Sequence, residues 1–228
     1  MPTDATTHDV PGPEPVGASP AQRVRDWCPF ALLLIDAQHD FWSEHLAARF
    51  PEFPANVARL LALCRAEGIE VIHLRVRFRP DGSDWMVAAR LRGSIPCVQG
   101  TSGADTLPFA REHPGEAVVV KQSYDGFQAA ELPAYLRSTG KRFLLTAGLV
   151  TSVCVLFTTA AAAQRGFLTA VVEDCCADRP EAHEQTLDRY RGLIFRRTTV
   201  DRLLEEHSAW WDALQKVEAL HASMVAAP

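Results

Sequence analysis

Six consecutive apolar residues, Phe30–Ile35, constrain the fold of this 228-residue chain more than any other segment. A continuous apolar run of this length is typical of a strand that is buried on both faces of a parallel sheet. The next periodic segment, Asn56–Ala66, has apolar residues at helical spacing and is followed by Gly68, a residue typical of helix ends. A second apolar segment, Ile69–Phe78, then predicts another strand.

The alternation of strand and helix continues to the end of the chain. Further strands are predicted over 116–121, 142–147, 167–172 and 193–199, and further helices over 129–138, 153–165, 181–191 and from 200 onward. This order predicts an α/β protein: a three-layer α/β/α sandwich around a six-stranded, mostly parallel sheet. Residues 79–114 are irregular and rich in Pro and Gly, and a connection of that length is typical of a lid or a pocket wall.

The length and the distribution of proline indicate one domain with an N-terminal tail. A chain of 228 residues is too short for two ordinary enzyme domains. Residues 1–26 lack aliphatic periodicity and contain Pro2, Pro11, Pro13, Pro15 and Pro20. We therefore predict a disordered arm over 1–26 and a folded domain over 27–228.

Composition excludes several classes of function. The chain has 23 basic and 28 acidic residues and a net charge of −5, which argues against nucleic-acid binding. Its apolar runs are far shorter than the roughly 20 residues of a membrane span, and the first 27 residues lack the apolar core of a signal peptide. The 6 Cys have no metal-type spacing. We expect a cytoplasmic enzyme with free thiols, no cofactor, no bound metal and a small-molecule substrate.

Three chemically capable side chains stand at the ends of predicted strands. Ligands of parallel sheets bind at the carboxyl ends of the strands. Asp36 follows the first strand, Lys121 ends the third, and Cys154 opens the helix after the fourth. Taken singly, Asp36 could be a turn residue, Lys121 an ordinary strand end and Cys154 a small buried hydrophobe.

Together these side chains form the parts of an activated nucleophile. A thiol at a helix N-terminus experiences the positive end of the helix dipole, which lowers its pKa. A carboxylate and an ammonium from neighbouring strand ends supply a proton acceptor and a countercharge. The combination of Asp36, Lys121 and Cys154 therefore predicts nucleophilic catalysis by a triad.

Four segments resemble the isochorismatase-like cysteine hydrolases, which include nicotinamidases and N-carbamoylsarcosine amidase. They are LLLIDAQHDF at 32–41, VVVKQSYDGF at 118–127, GLVTSVCV at 148–155 and GFLTAVVEDCCAD at 166–178. Their order and strand context match the family over roughly residues 29–200. The resemblance implies an isochorismatase-like fold of Rossmann-like topology.

The resemblance also implies roles for individual residues. It makes Asp36, Lys121 and Cys154 the catalytic triad. It places a cis peptide bond between Leu149 and Val150, and it assigns the N–H groups of Val150 and Cys154 to the oxyanion of the reaction.

Two departures from the family narrow the predicted reaction. Nicotinamidases bind a metal through an Asp-x-His and a further His after the second strand, whereas this segment reads HLRVRF at 73–78. True isochorismatases lack the nucleophilic cysteine that Cys154 provides. We therefore predict a cysteine-dependent amidase that cleaves an amide-type C–N bond of a small molecule through a thioester. A vinyl-ether hydrolase working through Asp36 and Lys121, and a non-catalytic binding or assembly protein, remain as alternatives.

Several residues near these motifs are candidates for the substrate pocket. Arg75, Arg77 and Arg79 alternate along the second strand, where they could bind a carboxylate or form structural ion pairs. Aromatic and imidazole side chains near the motifs could line a pocket or pack in the core; they are His39, Phe41, Trp42, Trp85 and Phe127. For the adjacent Cys175 and Cys176, which close the fifth predicted strand, we favour buried packing over a redox role.

The C-terminal helix suggests self-association. Apolar residues recur at helical spacing; they are Trp210, Trp211, Leu214, Val217, Leu220 and Met224. Because Trp is enriched at interfaces, this stripe predicts a homo-oligomer. Packing of the same stripe against the protein's own sheet is the alternative.

Overall fold

One sheet of six strands forms the centre of the molecule, and the computed structural model describes it within residues 25–226. The strands are β1 Phe30–Ile35, β2 Glu70–Val76, β3 Ala117–Lys121, β4 Phe143–Leu149, β5 Leu168–Ala177 and β6 Arg196–Thr198. Their order across the sheet is β3-β2-β1-β4-β5-β6, and every pairing is parallel. The predicted six-stranded sheet is confirmed.

Helices cover both faces of this sheet. They are α1 Glu44–Arg49, α2 Phe53–Glu67, α3 Val87–Arg92, α4 Glu131–Ser138, α5 Leu156–Gln164, α6 Pro180–Tyr190 and α7 Leu203–Ala226. Alternate residues of β1 enter two different cores, because successive side chains of a strand point to opposite faces. Leu32 and Leu34 pack with α1, α2 and α7, whereas Leu33 and Ile35 pack with α4, α5 and α6. The predicted three-layer sandwich follows directly from this arrangement.

Several elements differ from the sequence prediction. The fifth strand continues to Ala177, so Cys175 and Cys176 lie inside it and are fully buried in opposite cores. The helices α1 and α3 were not predicted, because each has six residues and too few turns for a visible apolar period. The helix predicted from Val153 begins with a π-helical turn over Thr151–Val155 before α5.

The N-terminal end of the described chain contacts the domain through the start of α7. Of the predicted arm over 1–26, residues 1–24 lie outside the described residues. Arg25 Nε donates to the Leu204 carbonyl and the Asp26 carbonyl lies 2.9 Å from Nε2 of His207, so these two residues belong to the folded part. Within 25–226, no helix has both the length and the apolar content that a bilayer crossing needs.

The apolar stripe of α7 packs largely on the protein's own sheet. Trp210 and Leu214 are buried in the core with Phe30 and Phe143, while Leu220 is exposed. The side chain of Met224 lies outside the described part of the chain. This packing corresponds to the alternative interpretation of the stripe.

The homo-oligomer itself stays a prediction. Shortening α7 by truncation after Ser208 would not test this prediction. The cut would remove the core residues Trp210 and Leu214 and destabilise the monomer. We expect light scattering on the 228-residue chain to give a multiple of 25.1 kDa. A solution mass of one chain across a wide concentration range would contradict the prediction.

Candidate active site

Asp36 directly follows β1 and is held rigidly at the edge of the sheet. Its backbone N–H donates to the Leu74 carbonyl at 2.9 Å, and its side chain is completely buried. Its φ of 49° lies in the left-handed region, which Asp tolerates better than most residues. Gly148 of β4 passes so close that a Cβ there would lie 1.9 Å from the Ile35 carbonyl oxygen. Only glycine therefore allows β4 to approach the backbone next to Asp36 so closely.

Lys121, the last residue of β3, pairs with Asp36 inside the protein. Its Nζ lies 2.6 Å from Asp36 Oδ2 and 2.8 Å from the carbonyl of Ser123, and both charged side chains are fully buried. The sequence prediction placed these residues on neighbouring strands, which is wrong. Strand β2 lies between β1 and β3, and the long lysine side chain reaches across it.

Cys154 sits in the π-helical turn that joins β4 to α5. Asp178 holds this turn in place, because its carboxylate accepts hydrogen bonds from the Ser152 N–H at 2.8 Å and the Ser152 hydroxyl at 2.6 Å. On the same turn, Thr151 Oγ1 lies 2.8 Å from His183 Nδ1. The peptide bond between Leu149 and Val150, just before the turn, is cis. Sequence analysis missed the bracing residues Asp178 and His183, although Asp178 ends one of the recognised motifs.

The carboxylate and the thiol share one buried electrostatic environment. Burial raises the pKa of Asp36, and the Lys121 ammonium opposes that rise. Burial also raises the pKa of Cys154 well above its usual value; the Asp36 carboxylate raises it further, and Lys121 lowers it. Among the described residues, Asp36 Oδ1 has no hydrogen-bond partner of regular geometry.

The pKa of Cys154 moves in the opposite direction from the sequence prediction. The helix dipole was expected to lower the pKa, but loss of hydration and a neighbouring carboxylate dominate at this buried position. The resting thiol is therefore protonated. The Asp36 carboxylate is close enough for its charge to act on the pKa of this thiol, and Asp36 Oδ1 has no hydrogen-bond partner of regular geometry among the described residues.

A cavity of about 240 Å³ opens onto Cys154. Its walls are mostly apolar, and its lining residues are Phe41, Val76, Phe78, Met86, Arg92, Ile95, Pro96, Ser123, Tyr124, Val150, Val153 and Cys154. Of the predicted pocket candidates, Phe41 lines this cavity. Four of the wall residues come from the irregular segment 79–114, which was predicted to build a pocket wall. Sequence analysis missed Arg92 and Tyr124, because nothing in the sequence pattern marks which residues of α3 and of the segment after β3 border the cavity.

The other aromatic and imidazole candidates lie elsewhere in the structure. Trp42 stacks on Phe53 at 4.7 Å in the core beneath α2. Phe127 is buried beside α4 and α5. His39 lines a different, open depression, and Trp85 donates a hydrogen bond from Nε1 to the Arg79 carbonyl on the outer loop. None of these is among the described residues that line the cavity at Cys154.

The arginines predicted as a face of the second strand are also not among the described residues that line this cavity. Arg75 forms an ion pair with Glu112, which is the structural alternative to carboxylate binding that the sequence analysis left open. Arg77 and Arg79 are exposed. Within the described residues, none of the three lines the cavity at Cys154.

Side chains near β2 that could act as metal ligands already bind other protein groups. His73 Nε2 lies 2.9 Å from Glu116 Oε2, and Arg65 binds the same carboxylate. Although burial opposes the effect, hydrogen bonds from Arg65 and His113 lower the pKa of Glu116 to about 2. Across residues 25–226, no three His, Cys, Asp or Glu side chains converge as metal ligands would.

We predict that hydrolysis by this protein does not depend on a metal. His73 is tied to Glu116, and a thiol nucleophile needs no Lewis acid for its activation. Exhaustive chelation followed by gel filtration should leave turnover unchanged. Loss of activity that zinc or iron restores would contradict this prediction.

The fold, with a cavity at the carboxyl edge of a parallel sheet, is that of an α/β enzyme class in which ligands bind at this edge. Residues 30–201 match the family model described as the Isochorismatase domain, so the chain belongs to the isochorismatase family of hydrolases.

Relatives of known name and structure support this assignment. Maleamate amidohydrolase of Pseudomonas putida is 31% identical over 185 residues, covering 76% of this chain and 86% of that protein. Ureidoacrylate amidohydrolase of Variovorax paradoxus is 25% identical over 210 residues, covering 82% and 83%. The crystal structure of an isochorismatase family protein from Desulfovibrio vulgaris superposes with a TM-score of 0.71 at 30% identity, covering 78% of this chain and 97% of that one. The predicted family and fold class are confirmed.

Proposed function

We propose that this chain is a cysteine hydrolase that cleaves an amide-type C–N bond of a small molecule through a thioester on Cys154. The observation that carries the proposal is the position of Cys154. Cys154 lines the cavity. The buried Asp36–Lys121 pair is close enough to act on the pKa of its thiol, and Asp36 Oδ1 has no hydrogen-bond partner of regular geometry among the described residues. Two relatives that are named amidohydrolases support the choice of a C–N bond.

In the first half of the reaction, the substrate carbonyl is attacked by sulfur. Asp36 Oδ1 takes the thiol proton, and the Cys154 sulfur forms a bond to the carbonyl carbon. The oxyanion of the tetrahedral intermediate is held by the N–H groups of Val150 and Cys154, at the start of the helical turn where the dipole favours negative charge. When the C–N bond breaks, Asp36 returns the proton to the nitrogen, and ammonia or an amine leaves.

In the second half, water releases the acid. Asp36 accepts a proton from water as the oxygen attacks the thioester carbonyl. The C–S bond then breaks, sulfur recovers its proton from Asp36, and the carboxylic acid departs. Lys121 holds Asp36 ionised between the two proton transfers, because its ammonium lies 2.6 Å from Asp36 Oδ2.

A screen of small amides tests this proposal. Primary amides, ureido acids and lactams are incubated with the protein, and released ammonia or amine is measured. With any substrate found, rapid acid quenching and mass spectrometry should show an acyl adduct on the peptide that contains Cys154. Turnover with no adduct under conditions that stabilise thioesters would contradict the thioester route. Because the chemistry needs a reduced thiol, we also propose that the protein acts in a reducing compartment, the cytoplasm.

A further inference from the structure

The turn that carries Cys154 has one side toward the cavity and another toward α6. Val150, Val153 and Cys154 line the cavity. Thr151 and Ser152, by contrast, are not among the described residues that line it. The turn is π-helical, a geometry that is rare and occurs mostly as single turns at functional sites. Its outer side is therefore where the rest of the protein can hold it without blocking a substrate.

Asp178 connects this outer side to the start of α6. Its Oδ2 accepts hydrogen bonds from the N–H of Ser152 at 2.8 Å and from the Ser152 hydroxyl at 2.6 Å. Its Oδ1 accepts from the N–H of Arg179 at 2.7 Å, the residue directly before α6. Asp178 is 6% exposed, so water competes little for these bonds. Hydrogen bonds to a carboxylate are also stronger than those between neutral groups.

A second contact joins the same turn to α6. Thr151 Oγ1 lies 2.8 Å from His183 Nδ1, and both side chains are buried. The imidazole ring packs edge-on against Phe50, with ring centroids 5.0 Å apart, which limits its rotation. Two consecutive residues of the turn are therefore bonded to two residues near the start of one helix.

The sheet explains why these contacts form at this point. The parallel pairing of β4 with β5 ends at Leu149 and Ala177, which are partners in the register. The next residues along the two strands are Val150 and Asp178, so the Asp178 side chain lies just where the ladder of backbone hydrogen bonds stops. Its bonds to Ser152 thus continue the connection between the two chain segments beyond the sheet.

We propose that Asp178 is a positioning residue for the reaction: its bonds to Ser152 hold the Cys154 turn in the orientation that places both the thiol and the oxyanion-binding N–H groups against the substrate carbonyl. The bond between His183 and Thr151 holds the turn at a second point. This inference rests on the proposed function for the step that it assists. Displacement of a catalytic group by about 1 Å can lower a rate about 10²-fold, so a bond outside the cavity can control the rate without touching the substrate.

A comparison of Asp178→Asn with Asp174→Asn tests this role. Asp174 lies on β5, and its carboxylate also accepts from a backbone N–H, that of Val200 at 3.1 Å, but this bond holds the segment before α7. Asparagine keeps the shape of the side chain and has one acceptor oxygen in place of two. On the best substrate from the amide screen, Asp178→Asn should lower kcat about tenfold or more and change KM less than about twofold. Asp174→Asn should leave both near the parent values.

A second measurement follows the turn without any substrate. Burial is the largest cause of the raised pKa of Cys154, so a turn that is held less firmly should expose the thiol and lower that pKa. Iodoacetamide should therefore label Cys154 about threefold faster or more in Asp178→Asn at a fixed pH. The rate is measured by mass spectrometry on the peptide that contains Cys154, because Cys28 is exposed and reacts as well. Asp174→Asn should leave this rate unchanged.

A milder variant keeps the test open if Asp178→Asn fails to fold by circular dichroism. Ser152→Ala removes the hydroxyl donor and keeps the backbone N–H that Asp178 also binds. It should lower kcat about threefold and speed the labelling of Cys154, as the loss of one hydrogen bond implies. Parent values of both quantities in Ser152→Ala would then overturn the inference.

The results also distinguish this inference from the proposed function. Unchanged kcat and unchanged labelling in Asp178→Asn, with hydrolysis lost in Cys154→Ala, would overturn the positioning role and leave the thioester intact. Faster labelling in Asp178→Asn, with hydrolysis that survives Cys154→Ala, would sustain the role of Asp178 in holding the turn and refute the thioester. Equal losses of kcat in Asp178→Asn and Asp174→Asn would overturn the inference, because they would reflect a general loss of stability.

Discussion

The Cys154→Ala variant is expected to lose amide hydrolysis by a factor of about 10³ or more, because members of a catalytic triad act as a unit. The substitution removes the atom that would carry the acyl group and leaves the Asp36–Lys121 pair in place. Folding should change little, since one sulfur is lost from a buried position that alanine can occupy. The measurement is steady-state turnover on the best substrate from the amide screen, together with thermal unfolding.

Cys64→Ala is the matched control for this experiment. Cys64 is as deeply buried as Cys154, but it lies on the core-facing side of α2 and does not line the cavity. The control should lose a comparable amount of stability and retain full turnover. Near-normal turnover of Cys154→Ala would refute the cysteine mechanism. It would favour the vinyl-ether alternative, in which Asp36 and Lys121 act without sulfur.

The sequence alone was enough to predict that Asp36, Lys121 and Cys154 lie at one site. Each residue stands at the carboxyl end of a segment that is apolar enough to be recognised as a buried strand. Parallel strands bring those ends to one edge of the sheet, whatever their separation along the chain. The order of strands across the sheet is less visible, and for this reason the position of β2 between β1 and β3 was missed.

The cavity walls could not be predicted in the same way. Arg92, Met86 and Ile95 lie in a segment whose course depends on contacts rather than on periodicity. One such contact is the carboxylate of Asp40, which accepts a hydrogen bond from the Cys97 N–H at 2.6 Å. Gly103 packs so tightly on Asp40 that an added Cβ would lie 2.1 Å from its Oδ1. Nothing local in the sequence links these three positions, although together they set the path of the wall.

The pKa of Cys154 shows a further limit of sequence reasoning. A helix start predicts a lowered thiol pKa, but the sequence does not give the extent of burial or the distance to Asp36. Both effects raise the pKa of Cys154. In the proposed mechanism, Cys154 therefore attacks as a thiol that gives up its proton rather than as a preformed thiolate, and this difference can be measured.

Asp36→Asn is expected to abolish turnover, again by about 10³ or more, while making Cys154 easier to alkylate. An amide cannot accept the thiol proton, so catalysis stops. The same substitution removes the negative charge that raises the pKa of Cys154, so that pKa falls. The pH profile of iodoacetamide labelling at Cys154 should therefore move to lower pH than in the parent protein.

Lys121→Ala should move the labelling profile in the other direction. The ammonium of Lys121 lowers the pKa of Cys154, so its removal raises that pKa and moves labelling to higher pH. Turnover should fall as well, because Asp36 loses the partner that keeps it ionised. Each variant leaves one buried charge without its partner, which costs about 3–5 kcal/mol, so circular dichroism must first show that both proteins are folded.

Opposite shifts of the two labelling profiles, with loss of turnover in both variants, would separate proton transfer from simple thiol reactivity. If Asp36 only oriented the thiol, its replacement by the nearly isosteric asparagine would still move the labelling profile, because the charge is lost, but it would spare much of the turnover. If Cys154 were a thiolate already stabilised by the helix dipole, neither variant would move the profile strongly. A labelling profile of Asp36→Asn that stays in place or moves to higher pH would therefore contradict Asp36 as the general base of the reaction.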